Sequence, residues 1–115
     1  MRRGDIWLVD FEPTVGSEAA RTRPAVIVSN DGANTAAGQS RGGVVTVVPL
    51  NSNTANVFAF QVLLEPDDTG LHHLSKAQPE QVRSVSVSRL VRQVGSVPRS
   101  RMAGLDDALR LHLAL

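Results

Sequence analysis

A polar loop between two apolar runs holds the residues best suited to chemistry. Ile6 to Phe11 alternates like a strand, and Ala25 to Val28 is a second apolar run. Between them the chain carries Glu18, Arg21 and Arg23, with Pro13, Gly16 and Ser17 as turn formers. Loops held between rigid strands are where binding groups concentrate. One acid and two guanidiniums there predict a site for a phosphate-bearing ligand, because a guanidinium meets phosphate oxygens bidentately. Pro24 fixes its own φ and pushes Arg23 towards extended geometry, so Arg23 is aimed from a strand edge. The histidine pair His72-His73 is the other obvious reactive group. Neighbouring residues rarely serve as opposed acid and base, and with Asp67 and Asp68 the pair fits no established metal spacing.

These residues need a frame. A chain of 115 residues corresponds to one domain, 1–115, with one modest core. Short apolar runs divided by turn-rich stretches predict a small, mainly β protein. Strands are expected at Asp5 to Phe11, Ala25 to Ser29, Val44 to Pro49, Phe58 to Leu64, Gln81 to Ser86 and, shorter, Gln93 to Val97. Phe58 to Leu64 has so few polar positions that it is expected to pack on both faces. Asn30 to Gly43 reads as a polar connection with one helical turn near Asn34 to Gly38, and Glu65 to Gln78 as a loop. Ser100 is a candidate N-cap for a terminal helix, on which Met102, Leu105, Leu109 and Leu113 form one apolar stripe. Ala108, Leu111 and Leu115 form a second patch, for which another subunit is the simplest cover.

Composition narrows the classes. The absence of cysteine excludes a disulfide scaffold and thiolate zinc sites. No secretory leader or membrane-length apolar run is visible, so a cytoplasmic location is expected. The formal net charge is only +1, yet 11 of 12 basic residues are Arg and only Lys76 is Lys. Arg suits phosphate and base contacts better than Lys. Trp7 lies in a strand and is expected in the core.

The order of several short motifs resembles the MazF/PemK family of toxins. They are Gly4-Asp5-Ile6-Trp7, Pro13-Thr14-Val15-Gly16-Ser17-Glu18, Arg23-Pro24 and Glu80-Gln81-Val82-Arg83-Ser84-Val85. The resemblance implies an SH3-like barrel of the MazF/CcdB type with a C-terminal helix, assembled as a homodimer. It implies a sequence-specific, metal-independent endoribonuclease without a cofactor, cutting single-stranded mRNA to 2′,3′-cyclic phosphate and 5′-hydroxyl ends. It further implies a small acidic MazE-type antitoxin. Arg23 falls on the family's essential arginine, as stabiliser of charge on phosphorus. Glu18 is then the acceptor of the 2′-hydroxyl proton or the residue that orients Arg23, and Arg21 a phosphate contact. Glu80, Gln81 and Arg83 are expected to meet RNA, with Gln81 and Arg83 on one strand face.

One position departs from the family. Asn51 stands where a Thr hydroxyl usually contacts the scissile phosphate. The Asn amide can still donate to an oxygen. Ser52 is the other candidate, although strand alternation points it away. Two other readings therefore stay open: an RNA- or antitoxin-binding homologue with weakened or no cleavage, and a gyrase poison of the same fold.

Overall fold

The computed structural model describes residues 1–13, 15–18 and 21–115, so Thr14, Ala19 and Ala20 of the opening loop lie outside the described residues. Among the described residues, seven strands form one sheet: β1 (Asp5–Asp10), β2 (Thr22–Ile27), β3 (Val44–Asn51), β4 (Val62–Leu64), β5 (Ser75–Ala77), β6 (Arg83–Ser86) and β7 (Leu90–Ser96). Their order is β4-β5-β3-β2-β1-β7, and β6 pairs with β3. Helices α1 (Asp31–Gln39), α2 (Pro66–Thr69) and α3 (Arg99–Leu113) complete the chain.

The central strands β2 and β3 are buried on both faces over much of their length, which explains their unbroken apolar runs. Ala25, Val26 and Ile27 of β2 are consecutive and all fully buried. Side chains alternate across a strand, so they divide between two cores. Val26 joins Ile6, Val48, Leu50, Leu64 and Leu105 in one cluster. Ala25 and Ile27 join Val9, Phe11, Val45, Val47 and Val85 in the other. Met102 and Leu105 of α3 pack into the first cluster, and Ala37 of α1 packs into the second. Trp7 is half-buried against the second cluster, with its indole N–H lacking a hydrogen-bond partner among the described residues.

Several elements differ from the sequence-based expectation. The single turn at Asn34 to Gly38 is a full helix, α1. Asn30 caps it by accepting from the Ala33 N–H at 2.8 Å, and buried Asn34 ties back to the Ser29 carbonyl at 2.9 Å. Its sequence has no apolar stripe; small residues let it lie directly on β3. Only Val62–Leu64 of the predicted Phe58 to Leu64 strand pairs, and Phe58 is 57% exposed rather than packed on both faces. Phe58 instead stacks on Phe60 at 5.5 Å, and Phe60 leans on His112 of α3. A local aromatic stack beside a helix outweighs intrinsic strand preference here.

The loop predicted over Glu65 to Gln78 contains both α2 and β5. Pro66 starts α2, Asp67 and Asp68 occupy its first turn, and Gly70 ends it at φ 82°. Gln81 is not on β6; it closes a 3₁₀ turn, Pro79–Gln81, so it shares no strand face with Arg83. α3 begins at Arg99 with Pro98, not Ser100, at the cap position and no side-chain cap bond. Ala108 of the expected second patch is buried, whereas Leu111, Leu113 and Leu115 are exposed.

Candidate active site

Strands β1, β2 and β7 build one wall of a cleft of about 580 Å³. Leu8 pairs with Pro24 on one side and Arg92 on the other, which sets these three on one face. Leu8, Pro24, Leu50, Leu71 and Val94 supply apolar lining. Arg21, Arg23, Arg92, Asn51, Ser52, His72 and His73 bring the polar groups. Among the described lining residues there is no carboxylate. Three guanidiniums on low-dielectric walls concentrate positive potential, so the cleft attracts anions although the whole chain carries only +1.

Local structure explains how the cations are held. Arg21 is in the left-handed region at φ 64°, a strained backbone for a side chain of this size. Two contacts fix it: its N–H donates to Glu12 Oε1 at 2.8 Å, and its carbonyl accepts from Phe11 N–H at 3.0 Å. Arg23 follows at the start of β2, opposite Val9, with Pro24 next. Asn51 is the last residue of β3. Its Oδ1 accepts the Asn53 N–H at 2.8 Å, which bends the chain and leaves Nδ2 without a partner among the described residues. Because β3 stops at Asn51, strand alternation does not govern Ser52, and both residues line the cleft.

The far wall comes from the turn after α2. Gly95 of β7 lies beneath it: a Cβ there would fall 2.2 Å from the Thr69 carbonyl oxygen. That approach lets Gly70, Leu71, His72 and His73 reach the cleft. His72-His73, set aside from sequence as an ill-spaced loop pair, is therefore part of the lining, as is Arg92, which carried no sequence signal. Among the described residues no group of three or more His, Asp or Glu converges to hold a metal. Asp68 instead faces Arg101 at 3.5 Å.

The remaining predicted residues form a second group outside that lining. Glu18 Oε1 accepts the Val15 N–H at 3.0 Å, and Oε2 faces Arg83 Nη1 at 3.9 Å. Gln81 Nε2 donates to the Ser17 carbonyl at 3.0 Å. Glu80 Oε2 accepts from Gln61 Nε2 at 2.5 Å. Arg83 lies over the Phe11 ring at 5.6 Å. Gln81 of the 3₁₀ turn and Arg83 of β6 thus hold the loop around Ser17 and Glu18 in place.

The sequence matches the family described as PemK-like, MazF-like toxin of type II toxin-antitoxin system over residues 2–113. It is 55% identical over 115 residues to endoribonuclease MazF9 of Mycobacterium tuberculosis (strain ATCC 25618 / H37Rv), covering 100% of this chain and 98% of that protein. It is 32% identical to endoribonuclease MazF of Staphylococcus epidermidis, over 100% of this chain and 92% of that one. The fold matches a crystal structure of MazF from Deinococcus radiodurans with a TM-score of 0.82 at 23% identity, covering 100% and 97% of the two chains. It also matches an endoribonuclease in complex with its cognate antitoxin from a mycobacterial species, with a TM-score of 0.77 at 22% identity over 100% and 96%. A bent sheet closed by a C-terminal helix, an arginine-lined cleft at the Arg23-Pro24 step and a match along nearly the whole sequence agree: this chain belongs to the PemK-like, MazF-like family of type II toxins.

Proposed function

We propose that this protein is an endoribonuclease toxin that cuts single-stranded RNA without a metal. The observation that carries this reading is the cleft lined by Arg21, Arg23 and Arg92 without a described carboxylate, beside an apolar floor. Single-stranded nucleic acid needs both features: cations for the phosphates and apolar surface for unstacked bases. RNA brings its own nucleophile, the 2′-hydroxyl next to the scissile phosphate. Its attack forms a 2′,3′-cyclic phosphate and releases a 5′-hydroxyl. The protein's task is to hold the phosphate, disperse charge on phosphorus and move one proton. Arg23 grips the phosphate, since preorganised donors aimed at developing charge often lower such barriers more than any other single effect. Arg21 and Arg92 take neighbouring phosphates. Asn51 Nδ2 donates to a non-bridging oxygen, and Ser52 offers a hydroxyl beside it.

The natural inhibitor of such a cleft is an acidic segment that pairs its carboxylates with the same arginines. A MazE-type antitoxin tail, ordered on binding, fits that description. Exposed Leu111 and Leu113 on α3, with Leu115 just beyond it, support assembly as a homodimer. End mapping on a defined RNA in excess EDTA tests the reaction. Cyclic-phosphate and 5′-hydroxyl ends are expected, and Arg23→Ala is expected to abolish them. Cleavage that requires added divalent metal would sink the mechanism.

A second reading, RNA binding with little cleavage, is favoured by one observation: Asn51 has no hydroxyl, and its Oδ1 is already committed to Asn53. RNA shifted on a gel but left intact, with cutting restored by Asn51→Thr, would decide for it.

A further inference from the structure

We propose that the His72–His73 pair supplies the imidazole that accepts the 2′-hydroxyl proton, an assignment that rests on the ribonuclease reading above. The reaction needs a proton acceptor inside the cleft. Among the described lining residues, Arg21, Arg23 and Arg92 carry guanidiniums, which have five N–H donors and no acceptor. Thr22, Ser52, Ser75 and Asn51 carry hydroxyls and an amide that do not titrate in that range. Among the described lining residues there is no Asp or Glu. His72 and His73 remain, and imidazole is the side chain whose ordinary titration falls near neutrality. Glu18, the acceptor expected from sequence, is not in the lining; its two oxygens face Val15 N–H and Arg83.

The pair is exposed, yet its backbone is held on both sides. Gly70 ends α2 just before it, and Leu71 beside it is buried. The His73 carbonyl accepts from Ser75 Oγ at 3.1 Å, just where β5 begins. The polar groups that share the cleft with the pair are Arg21 just before β2, Arg23 of β2, Arg92 of β7, and Asn51 and Ser52 at the end of β3, while Asp67 and Asp68 precede it in α2, with Asp68 facing Arg101. The two imidazoles project from one turn and serve one side of the substrate, so one acts as base. A neutral ring nitrogen takes the 2′-hydroxyl proton as the 2′-oxygen bonds to phosphorus. The bond from phosphorus to the 5′-oxygen breaks, and that oxygen takes a proton from water in the open cleft. The imidazolium then returns its proton to solvent.

The test is the pH dependence of kcat, in EDTA, for the wild type, His72→Ala, His73→Ala, the double variant and Glu18→Gln. Loss of the acting imidazole is expected to lower kcat by about 10²- to 10⁴-fold and remove the acid limb. RNA affinity above that limb is retained, and free imidazole in the buffer partly restores cutting. Glu18→Gln keeps the limb. A double variant with wild-type kcat and an unchanged limb overturns the assignment alone, as does loss of the limb in Glu18→Gln. A protein that cuts no RNA even as Asn51→Thr overturns the ribonuclease reading and this assignment with it.

Discussion

Asn51 ends β3 with its side-chain carbonyl engaged by Asn53 and its amide nitrogen turned to no partner among the described residues. A hydroxyl can donate or accept, whereas an amide nitrogen only donates. Asn51→Thr is therefore expected to raise kcat, with KM little changed, in steady-state cleavage assays. An unchanged rate would show that Asn51 already suffices. Arg21 offers a different test, because its positive φ and its cation are separable. Arg21→Gly is expected to be more stable than Arg21→Ala by about 1 kcal/mol, since only glycine adopts φ 64° without strain. Both variants are expected to lose RNA affinity alike. Equal melting temperatures would contradict the strain argument.

At the scale of elements, the cleft depends on how closely the turn after α2 approaches β7. A Cβ on Gly95 would overlap the Thr69 carbonyl. Gly95→Ala is expected to destabilise the fold by about 1–3 kcal/mol and to weaken RNA binding by moving the His72-His73 wall. Denaturant unfolding and a binding titration read the two effects. The start of α1 carries the pH-sensitive element. Hydrogen bonding from the Arg3 N–H to Asp31 at 2.6 Å, helped by the Arg2 and Arg3 charges and by Asn34, holds the Asp31 carboxyl below its ordinary value. A lowered folded-state pKa adds stability above the ordinary carboxylate range and loses it as pH falls through the folded value. Asp31→Asn is expected to be less stable at neutral pH and to show a shallower loss of stability on acidification. Chemical denaturation at a series of acidic pH values checks this.

For the whole molecule, a net charge of +1 hides a cleft with three arginines. If three phosphates are neutralised, log affinity against log salt should fall with a slope of about −2, from roughly 0.7 per phosphate on a single strand. Arg92→Ala should flatten that slope by about 0.7. A salt-independent affinity would place the RNA elsewhere. Among the described residues no helix is long and apolar enough to cross a membrane. The exposed leucines at the C-terminal end, 61% accessible at Leu111 of α3 and 86% at Leu115 beyond it, are expected to be covered by a second copy. Leu111→Glu with Leu115→Glu should then shift sedimentation towards the monomer.

Local pattern by itself determined the mainly β class, the first three strands, the terminal helix and the Arg23-Pro24 step, because alternation, helical period and proline geometry act over a few residues. Motif order pointed to the family. Local pattern misjudged the first half of Phe58 to Leu64, where an aromatic stack beside α3 stands in place of strand pairing and only Val62–Leu64 pairs. It also reduced α1 to a single turn at Asn34 to Gly38, because the small polar residues of the full helix form no stripe and its place depends on contact with β3. Tertiary structure alone decided which charges share the cleft. Arg92 and His72-His73 are distant from Arg23 in sequence and meet it only because β7 pairs with β1 and the turn after α2 folds over Gly95. Glu18, five residues from Arg23, is drawn instead towards Arg83. Proximity along the chain fixes local conformation, but long-range strand pairing sets which side chains can act on one phosphate.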